Sequence, residues 1–155
     1  NVFLMVSMMK DVVKYGTAKK AKVLKRPDIA GKTGTTNDQK DAWFSGFNRE
    51  IVTVSFLGFD DHSSLGKKEF GSSAALPMWI DYMKTALRGT PKSNLEEPDG
   101  LVSAKIDSKN GLLASPDSKN SITEVFRKEN VPKTFSKENK ISKSKEEELE
   151  LEKLF

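Results

Sequence analysis

Three strand-like runs follow one another between residues 29 and 59, and no other feature of the chain constrains its fold as much. Ile29 to Thr36 (IAGKTGTT) is short, small and Thr-rich. Ala42 to Phe47 (AWFSGF) is a second run. Asn48-Arg49-Glu50 makes a tight connection to a third, Ile51 to Phe59 (IVTVSFLGF), whose β-branched and aromatic content is bounded by turn residues. Strands in direct succession pair as an antiparallel meander by default.

Helical patterns flank the meander. Residues 2–15 place Met5, Met8, Met9, Val12 and Val13 at three- and four-residue spacing, which predicts a helix. Gly16 suits a left-handed terminus for it. Thr17 to Arg26 is basic and reads as exposed, and Pro27-Asp28 marks a turn. Asp60 to Phe70 is loop-like. Ser72 or Ser73 is placed to cap a helix reaching about Leu87, with Pro77 in or near its first turn. Leu76, Trp79, Ile80, Met83 and Leu87 form its apolar face. The expected class is α/β in the α+β sense, with helices packed on antiparallel strands. After Arg88-Gly89-Thr90-Pro91 the composition loosens. Leu101 to Ala114 predicts a hairpin around Asn110-Gly111. Ser136 to Phe155 is rich in Lys, Glu and Ser and reads as a solvated tail or marginal helix. The expected segments are 1–90, 91–135 and 136–155.

Composition removes several kinds of chemistry. The 155 residues suffice for about one domain. There is no cysteine, so disulfides, Cys-based zinc sites and thiol nucleophiles are excluded. One histidine, His62, precludes a multi-His metal site. No apolar run approaches the roughly 20 residues of a membrane helix. The N-terminus lacks a start Met and signal-peptide features, and its apolar opening reads as if cut from something longer. The net charge of +4 is concentrated in residues 1–40, where nine basic residues face three acidic ones. That excess is weak support for an anionic partner.

The stretch that carries chemistry is Ala30-Gly31-Lys32-Thr33-Gly34-Thr35-Thr36. On an extended strand Thr33 and Thr35 share one face, and Lys32 and Gly34 the other. Beside a cleft, such a strand pairs with an extended peptide through its backbone. Gly34 permits close approach. The Thr33 and Thr35 hydroxyls are suited to a substrate carboxylate. The Lys32 ammonium supplies positive potential and can hold a neighbouring hydroxyl. The Thr35 N–H is placed for half of an oxyanion hole. Alone, the triplet Lys-Thr-Gly reads more simply as a Gly-containing strand edge.

Its surroundings are more specific. AGKTGTTND, DAWFSGF, VTVSFLGFDD and GSSAALPMWIDYM resemble the end of the transpeptidase domain of bifunctional (class A) penicillin-binding proteins, in which Lys-Thr-Gly is one of three signature elements. DVVKYGTA resembles the helix leading into that strand. KIDSKNGLLA with Glu124-x-Phe126 resembles the family's C-terminal extension, although Glu129-Asn130-Val131-Pro132 stands where Gly-Thr-x-Pro is usual. The resemblance implies the C-terminal part of a penicillin-binding-protein/β-lactamase-like fold, a mixed five-stranded sheet flanked by helices. It implies a peptidoglycan D,D-transpeptidase that crosslinks stem peptides through a serine ester. The partners implied are the D-Ala-D-Ala end of the stem peptide and β-lactams, with no metal, cofactor or nucleic acid. Lys32 and Thr35 become the expected catalytic residues, with Thr33, Gly34 and Thr35 binding substrate. The implied location is the periplasmic face of the bacterial inner membrane, anchored through a part outside this chain.

The family's Ser-x-x-Lys and Ser-x-Asn motifs precede Lys-Thr-Gly, and only 31 residues precede Lys32 here. Ser7/Lys10 lies too close to the strand, and Ser64/Lys67 and Ser142/Lys145 follow it. Ser108-Lys109-Asn110 and Ser118-Lys119-Asn120 also follow it. All five read as chance matches. The nucleophile is therefore expected on an upstream segment of the same protein, and this chain alone is expected to be inactive and to expose one sheet face.

Other features have plain readings. The five basic residues from Lys19 to Arg26 read as a solvated loop rather than a patch for anionic lipid or glycan. Trp43, Phe44, Phe47 and Phe56 read as sheet core rather than groove lining. Asn37 and Asp38 shape either the cleft rim or a turn. His62, after Asp60-Asp61, reads as a surface residue rather than a base or ligand. Glu146 to Glu152 reads as solvated rather than as a partner-binding helix. Two rivals stand beside the transpeptidase: a β-lactamase or D,D-carboxypeptidase of the same fold, and a basic module binding nucleic acid or anionic glycan, which predicts salt-sensitive binding by the isolated chain.

Overall fold

Alternation of apolar and small residues sets the burial of the meander. A computed structural model describes residues 1–115, 118 and 120–136, divided between a unit from Asn1 to Glu97 and a second beginning at Pro98. In the first unit, β1 (Ala30–Thr35), β2 (Asp41–Phe47) and β3 (Val52–Gly58) form an antiparallel sheet in the order β1-β2-β3. Ala42, Phe44 and Gly46 of β2 are buried, and Trp43 and Ser45 between them are exposed. Of the four aromatic residues read as core, Phe44 is fully buried, Phe47 half-buried, and Trp43 and Phe56 are 39% and 47% exposed. The two-residue period of the pleat separates them: Trp43 and Phe56 are paired across the sheet on the face opposite Phe44. Their ring centroids lie 4.3 Å apart, and Val52 and Val54 extend this exposed apolar face.

The buried face is covered by α2 (Leu76–Ala86). Its apolar stripe follows the expected spacing: Leu76, Trp79, Met83 and Leu87 are buried, and Ile80 packs at the margin. Trp79 is the centre of the contact. Its ring meets Phe44 edge-on at 4.9 Å, and its Nε1 donates to the Thr53 carbonyl at 3.0 Å. Gly46 makes room for it, since a Cβ there would fall 2.6 Å from the Trp79 ring. Gly46→Ala is therefore expected to destabilise the fold by about 1–3 kcal/mol through overpacking. Chemical denaturation measures this, and an unchanged midpoint would contradict the packing account.

A π-helical turn, Gly71–Ala75, precedes α2. Ser73, one of the two expected caps, sits inside this turn: its Oγ accepts from the Phe70 N–H at 2.8 Å and donates to the Lys68 carbonyl at 2.7 Å. Replacing it with alanine should cost about 1 kcal/mol, the usual loss for a missing cap, readable as a lowered denaturation midpoint.

α1 (Val2–Lys14) packs along β1. Its predicted stripe is only partly used: Val13 is buried, while Met5 and Met8 are each 54% exposed. Gly16 is not in the left-handed region expected of it; the cap residue Tyr15 has φ −128°. Gly16 serves space instead, because a Cβ would lie 2.9 Å from the Val12 backbone. The basic stretch that follows is a 3-10 helix, Lys19–Leu24, with exposed lysines and a buried Ala21. Ala18, before it, is buried too.

Between that helix and β1 lies a buried ion pair. The Arg26 guanidinium donates through Nε and NH2 to both Asp28 carboxylate oxygens, at 3.0 and 2.6 Å. Its remaining donors reach the Thr90 and Pro91 carbonyls at 2.8 and 2.9 Å, and the Ser93 N–H meets Asp28 at 3.3 Å. Lys10 of α1 adds a bond to Asn94 at 2.8 Å. The segment leaving α2 is thus tied to the approach to β1.

The second unit holds the expected turn and adds a longer partner. β4 (Leu101–Asp107) meets residues 112–114 across Asn110-Gly111, with the Asp107 N–H donating to the Leu112 carbonyl at 2.8 Å and the Ala114 N–H to the Lys105 carbonyl at 2.9 Å. It also pairs antiparallel with β5 (Ser121–Arg127), from Leu101↔Arg127 to Asp107↔Ser121, a strand outside the expected hairpin. Asn110-Gly111 does turn, with Gly111 at φ 71° and the Leu112 N–H bonded to Asn110 Oδ1. The chain beyond it contributes isolated bridges from Leu113 to Ile106 and Phe135. Of the expected tail, residues 137–155 lie outside the described residues.

Candidate active site

The strand bearing Lys-Thr-Gly lies at the edge of its sheet. Among the described residues, no strand pairs with the outer side of β1. The register places Thr33 opposite Phe44 and Thr35 opposite Ala42, on the face that α2 covers. Lys32 lies opposite Ser45 and Gly34 opposite Trp43, on the other face. The two-face distribution read from the sequence therefore holds.

The ladder also orients the backbone. The Thr36 N–H donates to the Asp41 carbonyl at 3.0 Å, making 36/41 a hydrogen-bonded pair. Antiparallel alternation then turns the N–H and C=O of Thr35 and Thr33 outwards. The Lys32 ammonium agrees with this, meeting the Thr33 carbonyl at 2.9 Å. The outer edge thus offers two N–H donors, two carbonyls and a cation within the four residues Lys32 to Thr35.

Each motif hydroxyl has a partner that sequence reasoning missed. Thr33 Oγ1 lies 2.8 Å from Thr17 Oγ1, and either oxygen can be the donor. Thr35 Oγ1 accepts the Gly71 N–H at 3.0 Å. Thr17 carried no signal within a basic stretch. Gly71 carried one in retrospect, a glycine opening GSSAALP, but its contact spans 36 positions.

Past the motif, Asn37–Gln39 form a 3-10 turn in which Asp38 and Gln39 both have positive φ, 58° and 52°. The loop after β3 holds this turn. Ser64 Oγ donates to the Asp38 carbonyl at 2.6 Å, and the Leu65 N–H to the Gln39 carbonyl at 2.8 Å. Ser64 is thereby occupied as a structural donor.

The remaining chance matches lie elsewhere. Lys10 of the Ser7/Lys10 pair is bonded to Asn94. Asn110 donates to Ser136 in the second unit. Lys119, Ser142 and Lys145 lie outside the described residues. His62 is exposed, at φ 54°. Beside it the Asp61 carboxyl is held below the usual range by the Ser63 N–H. Among the described residues no group of three His, Asp or Glu side chains gathers to hold a metal.

Comparison with known proteins points to one family. The family model for the penicillin-binding protein 1A C-terminal domain matches residues 97–140. Penicillin-binding protein 1A of Pseudomonas aeruginosa is 48% identical over 130 residues, which are 84% of this chain and 16% of that protein. The Neisseria lactamica protein of the same name is 52% identical over 102 residues, 66% of this chain and 13% of that protein. The crystal structure of penicillin-binding protein 1A from Haemophilus influenzae superposes with a TM-score of 0.79 at 38% identity, covering 87% of this chain and 21% of that one. The chain belongs to the penicillin-binding protein 1A family. It spans less than a quarter of the length of each of these relatives. Mixed helix and antiparallel sheet is the architecture common to this chain and the Haemophilus protein. Among the described residues no helix is long and apolar enough to cross a membrane.

Proposed function

We propose that this chain supplies the Lys-Thr-Gly wall of a serine D,D-transpeptidase active site within a larger penicillin-binding protein acting at the periplasmic face of the inner membrane. The observation that carries the reading is the outer edge of β1, with which no strand among the described residues pairs, and the Lys32 ammonium beside it. An extended stem peptide ending in D-Ala-D-Ala adds to that edge as a further strand. Thr33 and Thr35 face its terminal carboxylate. The Thr35 N–H polarises the scissile carbonyl as one oxyanion donor. Gly34 keeps the edge low enough for backbone approach. Lys32 stabilises negative charge and holds the hydroxyl that relays a proton to the leaving amine. The attacking serine comes from the upstream segment that carries Ser-x-x-Lys and Ser-x-Asn.

Acylation by a labelled penicillin tests this. The intact protein is expected to become covalently labelled, and a polypeptide of residues 1–155 is not. Labelling of the short chain, or none of the intact protein, contradicts the proposal. With stem-peptide substrates, crosslinked product supports a transpeptidase, and hydrolysed product alone supports the carboxypeptidase or β-lactamase reading.

A further inference from the structure

The turn entering α2 touches the motif strand at one point, where the Gly71 N–H donates to Thr35 Oγ1 at 3.0 Å. A threonine hydroxyl carries one proton and two lone pairs. The bond from the Gly71 N–H occupies one lone pair and fixes where the oxygen sits, which leaves its O–H available to a ligand acceptor. Thr33 is not committed in this way, because its partner is another hydroxyl that can play either part.

Gly71 is held there by close packing. A Cβ at this position would lie 2.3 Å from the Trp43 carbonyl oxygen and 2.6 Å from that of Gly34. The backbone therefore lies directly on the two strands that form the wall, closer than any other residue type permits. The entry to the turn is pinned independently, by Ser73 on Phe70 and Lys68. Its opening turn is π-helical, a local widening that recurs at functional sites.

We infer that Gly71 is a positioning residue: its N–H holds the Thr35 oxygen where its O–H can donate to a ligand carboxylate, a charge-assisted bond, so that the site selects ligands bearing a carboxylate over neutral analogues of the same shape. The inference rests on the proposed function, and deepens it by assigning the origin of carboxylate selectivity. A hydrogen bond to a charged group is the strong kind, and its removal changes a rate more than loss of a neutral one.

The test compares acylation of the intact protein by a penicillin and by its uncharged methyl ester. The native protein is expected to prefer the carboxylate form, and Gly71→Ala to reduce that preference by roughly 10- to 100-fold, the range for losing a charge-assisted bond. A common fall in both rates, leaving the ratio intact, overturns the inference, because simple misfolding acts on both ligands alike. Ser73→Ala provides a second route if Gly71→Ala fails to fold. By loosening the same turn it is expected to lower the ratio in the same direction, and an unchanged ratio there also overturns the inference. Thr35→Ser should retain the preference and Thr35→Val abolish it; a Val variant that keeps it overturns the inference. Equal acylation of the native protein by both ligands overturns the inference while leaving the transpeptidase reading intact. Absence of acylation by either ligand overturns that reading itself.

Discussion

Lys32→Ala in the intact protein is expected to lower the rate of penicillin acylation by about 10²- to 10³-fold, the loss typical of removing one preorganised electrostatic donor. The side chain is exposed and bonded to the adjacent Thr33 carbonyl. Its removal creates no cavity and breaks no core contact, so stability should stay within about 0.5 kcal/mol. The combination of intact folding and lost acylation is what distinguishes a chemical role from a structural one. Lys32→Arg keeps the charge but replaces a compact ammonium with a planar fork, and is expected to recover only part of the rate. Time courses of labelling, with thermal melts of the same preparations, measure both quantities. A Lys32→Ala protein acylated at the native rate would remove this residue from the proposed mechanism.

Asp28→Ala is the substitution expected to cost most stability, about 3–5 kcal/mol, because it leaves a buried guanidinium without its counter-charge. The Asp28 side chain is fully buried and that of Arg26 is 8% exposed. The double variant Arg26→Met/Asp28→Leu removes both charges and should be much less damaging than the sum of the two single variants, which is the signature of direct coupling. Additive losses would show that the pair is not the source of the effect. A pH dependence follows as well. Burial on its own pushes the Asp28 carboxyl up, but the Arg26 guanidinium and the Ser93 N–H outweigh it and hold the group below its ordinary value. A carboxylate with a depressed folded-state pKa contributes stability above its unfolded value, near 3.8, and loses it as pH falls further. Denaturation midpoints measured from pH 6 to pH 2 should therefore fall below about pH 4, and fall less in the Arg26→Met/Asp28→Leu variant.

The ion pair and the glycine contact bracket the edge strand. Asp28 stands just before β1 and Gly71 lies against its far end. The strand is thus fixed at both ends by groups that are remote in sequence, while no strand among the described residues pairs with its outer side. An open edge costs a protein solubility unless it is managed, and here a lysine and two threonines line it.

Much of this is legible in the sequence. Strand positions, their antiparallel order, the apolar face of α2 and the opposite placement of Lys32 and Thr33 all follow from periodicities of two and 3.6 residues, which are local properties of the chain. The motif was legible for the same reason: its chemistry lies in consecutive residues of one strand. The misses have a common form. Trp43 and Phe56 were assigned to the core, yet which sheet face is buried depends on where α2 docks. The turn after β4 carries a local signal, whereas its longer partner β5 lies beyond that turn and carries none. Gly16 was given a left-handed role when it answers to crowding by Val12. Thr17, Gly71 and the Arg26 clamp on Thr90 and Pro91 left no local signal, because each acts across a sequence gap closed by packing. Short-range patterns along the chain thus specify what each element is and which residues alternate across it. Which alternating face becomes interior, and which backbone donor reaches a motif hydroxyl, depends on contacts among distant residues, which exist only once the hydrophobic core has assembled.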